Sequence, residues 1–578
     1  MSSFILGINF LHSDSSACIF KDNELIAAAE EERFNRVKHT SVFPTESIKF
    51  CLNKANINIS NLDCVTINSN PFSSIFRKIN FLLKNISSFD IGFSSLLNSK
   101  KKINLKKYLN SVDINNKFNG RVKFIDHHAS HIASSLFFSN FTKCANISID
   151  GFGDFASCAW GLYEKEKLKI EKKIYFPHSL GIFYQTLTQF LGFKSYGDEY
   201  KLMGLSPYGK PKYCNELYEL ITKTKNGFKL NLDYFLHHKQ KIFEINNSGQ
   251  FIYKNLYSKK INKLFSFERL PEEKITQDHI DLAKSVQTVY EDIFFHLLNI
   301  IYKKYNVENL SISGGCAMNS VANGKIIKNT NFKNIYISPN PGDAGGSVGS
   351  ASIYINKKYK KKFHVQNYAY LGNSYKNDEI LKVLKENSID DKFEVKFLDD
   401  NDLYSRVSKS LTEEKIVGWF QEKMEWGPRA LGNRSILADA RNPKIKDIIN
   451  SKIKRRESFR PFAPSILEDQ VTNWFEVDKK VPFMSEVYLI KSEKKKLIPG
   501  VTHVDGTGRL QTVSFNNNPR YYNLIKQFFN ITKVPIILNT SFNENEPIVN
   551  KPIEAINCFE RTSMDILVLG NWFIFRNN

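Results

Sequence analysis

RVKFIDHHASHIASSLFFSNFTKCANISIDGFGD, residues 121–154, is the stretch that decides the fold. Val122 to Ile125 is a short β-branched and aromatic run that stops at Asp126. His127 to Phe138 then follows a helical pattern, with Ile132, Ser135 and Leu136 on its buried face. Asn146 to Ile149 reads as a second strand. The GFGD turn behind it, with Gly151 and Gly153, lets backbone amides approach a bound group. His127 and His131 stand four residues apart, so their rings share one helix face and can hold a single ion. Asp150 ends the following strand, where open α/β sheets place their ligands. Two imidazoles and a carboxylate suit Zn or Fe(II) better than Mg or Ca. The histidine pair alone is also a capping or packing feature. A strand-end Asp and a glycine turn in the same unit favour the metal.

Working toward the C-terminus, residues 278–305 repeat apolar side chains at helical spacing and feed the strand NLSIS. The turn GGCAMN after it places Gly314 and Gly315 at a strand end, where a flat ring or phosphate can come close, with Asn319 or Asn323 to read its polar edge. NIYISPNPGDAGG repeats the scheme, with Asp343 before Gly345 and Gly346. Asp343 can supply the second carboxylate of a two-His, two-carboxylate site. Toward the N-terminus, FILGINF reads as a strand, HSDSSACIF as a polar turn bearing His12 and Asp14, and ELIAAAEE as the returning strand. His12 and Asp14 are candidates for binding or proton exchange, or are plain turn formers.

At 578 residues the chain exceeds what one core serves, so two domains are expected, 1–360 and 361–578, with the boundary near 357–370. Residues 79–120 and 212–275 read as a surface excursion and as a polar, partly helical insertion. The C-terminal part alternates helix and strand and concentrates Arg429, Arg434, Arg456, Arg460 and Arg509, with Lys423, in segments rich in Gly, Pro and Phe. Arginine forks suit phosphate oxygens, so this part reads as an anion-binding domain.

A formal charge of +22 would fit a polyanion. Lysine is nevertheless spread along the whole chain and no nucleic-acid-binding module pattern is present, so nucleic acid is not expected as a partner. Eight cysteines without a CxxC pair read as reduced thiols of a cytoplasmic protein. The start MSSFILGINF reads as a strand and not a signal peptide, and no run has the length of a membrane span.

DHHASH, SIDGFGD, SGGCAMN, NPGDAGG, EWGPRALGNRS, RESFRPFAPS and LNTSFN together resemble the O-carbamoyltransferases of nodulation and antibiotic biosynthesis, outside residues 79–120 and 212–275. The strand–turn–strand opening is similar to that of sugar kinases, actin and the Hsp70 ATPase domain. The resemblance implies an α/β chain: an actin/Hsp70-like domain of two duplicated α/β halves, then a YrdC-like α/β domain. It implies two steps. Carbamoyl phosphate and ATP, with Mg, would become carbamoyl-adenylate in the C-terminal domain, and the N-terminal domain would pass the carbamoyl group to a hydroxyl of a sugar or secondary metabolite. His127, His131, Asp150 and Asp343 would be metal ligands, for Fe(II), with Zn or Mn as alternatives. His12 would lie near the acceptor, with Asp14 kept as a catalytic candidate, the glycine turns and Asn319 would hold adenosine, and the arginines with Lys423 would line the adenylation site, Arg460 acting in catalysis. An oligomer is compatible with this pattern. A tRNA-modifying relative, a sugar-kinase-like ATPase and a nucleotide-binding scaffold stay open as alternatives. The kinase would have no use for His127 and His131.

Overall fold

The computed structural model describes residues 2–84, 102, 104–359, 363 and 368–576. The chain separates into two compact units, Met1–Val365 and Gln366–Asn578. The boundary expected near 357–370 falls partly on residues outside the described set.

In the first unit, β1 (Phe4–Asn9), β2 (Ser16–Lys21), β3 (Glu24–Glu30), β4 (Cys64–Ile67) and β5 (Arg121–Phe124) form one sheet in the order β3-β2-β1-β4-β5. β1 and β3 pair antiparallel with β2, whereas β4 runs parallel to β1 and β5 to β4. β6 (Cys144–Gly153), β7 (Ala156–Glu164) and β8 (Lys167–Tyr175) open a second sheet. Two short hairpins follow, β9 (Ile221–Thr224) with β10 (Gly227–Leu230), and β11 (Phe243–Ile245) with β12 (Phe251–Tyr253). β13 (Asn309–Ser313) and β14 (Asn334–Ile337) complete the second sheet in the order β14-β13-β6-β7-β8. β6, β7 and β8 are antiparallel, and β13 and β14 extend β6 in parallel. Three antiparallel strands extended by two parallel ones therefore occur twice in the same order. This is the duplicated α/β architecture of the actin/Hsp70-like class.

Five helices frame the argument about function. Four belong to this unit: α1 (Ile75–Lys84), α2 (His127–Leu136), α3 (Gln277–Tyr305) and α4 (Gly345–Tyr359). α2 starts where it does because Asp126 caps it, its carboxylate accepting from the Ala129 amide at 3.1 Å. α3 ends at Asn306, which takes the left-handed conformation at φ 48°. α2 and α4 follow the last strands of the two sheets and cross tightly. A Cβ at Gly349 would lie 1.7 Å from the Ser130 carbonyl oxygen, so only glycine permits the approach.

One reading needs correction. SACIFK is not part of a turn but the buried strand β2; its alternation is masked because both faces of the strand are covered. Residues 212–275 are partly helical, holding an α-helix at Cys214–Leu220, two 3₁₀ helices at Leu232–Tyr234 and Lys259–Lys263, and the two hairpins. In the 79–120 stretch, the described residues include the end of α1 and a helix at Leu105–Asn110, while 85–101 and 103 lie outside them.

The second unit is a mixed nine-stranded sheet, β15 (Glu394–Phe397), β16 (Val417–Phe420), β17 (Arg434–Asp439), β18 (Ala463–Leu467), β19 (Glu486–Leu489), β20 (Thr507–Val513), β21 (Ile536–Ser541), β22 (Ile566–Leu569) and β23 (Trp572–Phe575). Its order is β15-β23-β22-β16-β17-β21-β18-β20-β19. Period-two alternation sorts its side chains: Leu437 packs with Val417 and Trp419 on one face, Ile436 and Ala438 with Phe420 on the other. The fifth helix, α5 (Pro519–Thr532), covers the first of these faces through Tyr521, Leu524 and Phe528. Among the described residues, no helix is long and apolar enough to cross a membrane.

Candidate functional site

Four side chains meet at the strand ends of the first unit. His127 and His131 project from α2, Asp150 from β6, and Asp343 from the turn before α4. Nε2 of His127 and Nε2 of His131 are 3.0 Å apart, and both reach Asp150 Oδ2, at 3.1 and 3.2 Å. Asp343 Oδ1 stands 3.6 and 3.4 Å from the same two nitrogens. All four donor atoms lie within 4.8 Å of one another. Both imidazoles are fully buried. Burial alone would push the Asp150 carboxyl up; hydrogen bonds from His127 and His131 outweigh it and hold that carboxyl well below the usual range. Burial would likewise lower His131, but Asp150 and Asp343 raise it to about 10. Two carboxylates facing two nearly touching imidazole nitrogens make a donor set that a divalent metal fits.

Neighbouring groups hold the four donors in place. Ser13 Oγ donates to Asp343 Oδ2 at 2.8 Å and meets the Tyr196 hydroxyl at 2.5 Å. The Gly315 amide donates to Asp150 Oδ1 at 3.0 Å. Asp154 accepts from the His127 amide at 2.9 Å, from the Asn70 amide at 2.7 Å and from Ser69 Oγ at 2.8 Å. His12 lies beside this group, its ring centroid 4.9 Å from that of His127. Burial and the neighbouring Lys102 hold His12 well below the usual histidine range. Lys102, from the supposed surface excursion, is buried, with Nζ 2.6 Å from Ser69 Oγ and 3.3 Å from His12 Nε2. Burial lowers it to about 8. Asp14 is not part of the group; its carboxylate takes His39 Nδ1 at 2.7 Å.

The glycines divide by what crowds them. Gly153 must be glycine because a Cβ there would sit 2.0 Å from the His127 ring. Gly314 has φ 87° and would press a Cβ to 2.2 Å from the Ile149 carbonyl oxygen. Gly345 and Gly346 are similarly pressed by Asn340 and Asn68, whereas Gly151 faces open space. Asn319 was expected to read a base edge and does not have its amide free for that. It exchanges two hydrogen bonds of 3.1 Å with Gln287 and caps the next helix by accepting from the Ala322 amide.

In the second unit, Arg429, Arg456 and Arg460 gather around Arg509. Burial and those three guanidiniums hold Arg509 well below the usual arginine range, and its Nε is buried without a hydrogen-bond partner. Arg456 donates to Asn450 Oδ1 at 2.7 Å and stacks on Phe462, and Arg460 faces Glu457 at 3.4 Å. Four positive groups in one place raise a local potential that a multiply charged anion relieves. Arg434, expected among them, is turned inward instead. It is fully buried, stacks on Phe420, and donates to the carbonyls of Gln421, Asn433, Asn373 and Glu422. Lys423 is exposed on the loop after β16.

Ser13, Lys102, Asp154 and Tyr196 were not identified from sequence. Asp154 stood in the quoted GFGD motif and Ser13 in the HSDSS turn, so position was a usable signal for both. Lys102 carried none.

Comparison with known proteins agrees with this arrangement. The carbamoyltransferase N-terminus matches residues 4–352, and the carbamoyltransferase C-terminus matches residues 408–576. An uncharacterised protein of Synechocystis is 38% identical, over 99% of this chain and 96% of its own. Nodulation protein NolNO of Sinorhizobium fredii is 34% identical, over 99% of this chain and 80% of its own. The 3'-hydroxymethylcephem-O-carbamoyltransferase of Streptomyces clavuligerus is 30% identical over 46% of this chain and 48% of its own. Matched along both of its units, the chain belongs to the carbamoyltransferase family.

Proposed function

We propose that this carbamoyltransferase works in two steps, one in each unit. Residues 361–578 would form carbamoyl-adenylate from carbamoyl phosphate, water and ATP with Mg: water removes the phosphoryl group of carbamoyl phosphate as phosphate, and the carbamate oxygen so freed displaces pyrophosphate from the α-phosphorus of ATP. Residues 1–360 would transfer the carbamoyl group to a hydroxyl of a sugar or secondary metabolite. One observation carries this reading: the His/Asp quartet and the arginine group lie in different compact units. A carbamoyl carbon is a poor electrophile because its nitrogen donates into the carbonyl, so activation must precede transfer.

Arg429, Arg456, Arg460 and Arg509 offset phosphate charge as the two anionic substrates meet. In the first unit, His127, His131, Asp150 and Asp343 would hold a first-row divalent ion, Fe(II) in the family reading, with Zn or Mn as alternatives. Such an ion, when bound, supplies a Lewis acid for the carbamoyl carbonyl oxygen. His12, kept neutral by burial and by Lys102, would take the proton of the acceptor hydroxyl. The hydroxyl oxygen bonds to the carbamoyl carbon, and the bond from that carbon to the AMP phosphoryl oxygen breaks.

The test is release of pyrophosphate from ATP by the purified protein. Release should require carbamoyl phosphate. Formation of ADP with a sugar, independent of carbamoyl phosphate, would instead support the kinase-like alternative.

A further inference from the structure

We propose that α1 and the turn before it form a membrane-docking surface that seats the first unit on an anionic bilayer. α1 has two unlike sides. On one, Phe81 packs against Phe155 and Phe176 with centroids 5.8 and 4.9 Å away, and the Arg77 guanidinium covers the Tyr175 ring at 3.9 Å. That side fastens the helix to the protein. The other side carries Ile75, Ile79 and Leu83 in an i, i+4 stripe, joined by Phe76 and by Phe72 from the turn. Phe76 is 85% exposed, Leu83 75% and Phe72 63%. Scattered exposed apolar residues are ordinary, but five large ones in one stripe mark an interaction surface.

The surrounding charge names the occupant. Between Phe72 and Asn110 the sequence holds eight lysines and arginines and one acid, Asp90. Among the described ones, Lys102 is turned into the site already described, Lys78 donates to the Pro71 carbonyl at 3.2 Å, and Arg77, Lys106 and Lys107 are exposed. An apolar stripe in strongly basic sequence is the pattern of helices that lie in the headgroup layer of anionic membranes. A second copy of this chain fits poorly, because a self-paired face would set these positive charges against each other. With a net charge of +22, the whole chain is drawn toward the same surface.

The stripe also adjoins the candidate centre. Ser73 Oγ, one turn before α1, donates to Asp126 Oδ2 at 2.8 Å, and Asp126 caps the helix bearing His127 and His131. Asn70, three residues earlier, donates from its amide to Asp154. A bilayer against α1 would lie beside the quartet. Resting on the carbamoyl-transfer reading, the acceptor hydroxyl is then one carried by a lipid or lipid-linked glycan.

The experiment is co-sedimentation of the full chain with phosphatidylcholine vesicles made with and without phosphatidylglycerol. The wild type should sediment with the anionic vesicles and be released as salt is raised. The exposed double substitution Phe76→Glu with Leu83→Glu should reduce sedimentation by about tenfold or more. It should keep its metal content and its carbamoyl-phosphate-dependent pyrophosphate release, neither of which needs a membrane. Absence of wild-type sedimentation would overturn the proposal. So would equal sedimentation of the variant, which would mean attraction by charge alone, or a variant that changes only the oligomeric mass in solution. Vesicle binding without pyrophosphate release would leave the surface standing and defeat the reading of function.

Discussion

Ser13 Oγ donates to Asp343 Oδ2 at 2.8 Å, and this bond leaves Asp343 Oδ1 turned toward His127 and His131. The two residues are 330 positions apart, and their contact ties the first sheet of the unit to the second half of the duplication. Groups that orient a ligand typically change metal affinity by 10–100-fold when removed. Ser13→Ala should therefore weaken binding of Fe(II) or Zn by roughly that factor, measured by competition with a chelator. Unchanged affinity would show that Asp343 is held by other means.

Gly151 and Gly153 separate sterics from backbone recognition. An alanine methyl at Gly153 would meet the His127 ring, whereas one at Gly151 meets nothing within 4 Å. Gly153→Ala should lose most bound metal and Gly151→Ala should retain it, as read by elemental analysis of the purified variants. Equal metal content in both would mean that the His127 ring can shift without consequence.

Arg434 should behave as a structural residue. Its buried guanidinium is surrounded by backbone carbonyls, and removing it strands those acceptors. Arg434→Ala should cost about 3 kcal/mol of stability in denaturant unfolding. Arg429→Ala, by comparison, should change stability little and affect pyrophosphate release.

His39 gives a pH dependence with a definite sign. Burial would lower its pKa, but Asp14 at 2.7 Å and the nearby Glu32 outweigh that and raise it to about 9. A folded value above the unfolded one, near 6.5, means that the bonded imidazolium stabilises the fold fully below about pH 6.5. The contribution is lost as pH rises through about 9. His39→Gln should flatten the fall in thermal stability across that window. A wild-type-like slope in the variant would place the titration elsewhere.

Local pattern carried much of the fold and part of the site. The spacing of His127 and His131, Asp150 at a strand end and Asp343 before a helix are short-range features, and the chain brings those four side chains together. β2 was hidden because a strand buried on both faces does not alternate. Tyr196 and Lys102 were missed because their partners are distant in sequence, and nothing local marks a lysine that folding will bury; Ser13 stood in a quoted turn, but its partner Asp343 lies 330 positions away. Arg434 was misassigned for the opposite reason: composition around an arginine does not reveal whether its fork faces a ligand or the backbone.

The separation of the two steps is tested most directly by comparing Arg509→Ala with His131→Ala. Losing one engaged guanidinium should cost on the order of 3 kcal/mol, or roughly a hundredfold, in the rate of carbamoyl-phosphate-dependent pyrophosphate release. His131→Ala should leave that release nearly unchanged and abolish transfer to a hydroxyl acceptor. Carbamoyl-adenylate supplied from outside should then restore transfer in Arg509→Ala and not in His131→Ala. Equal loss of pyrophosphate release in both variants would contradict the assignment of one step to each unit.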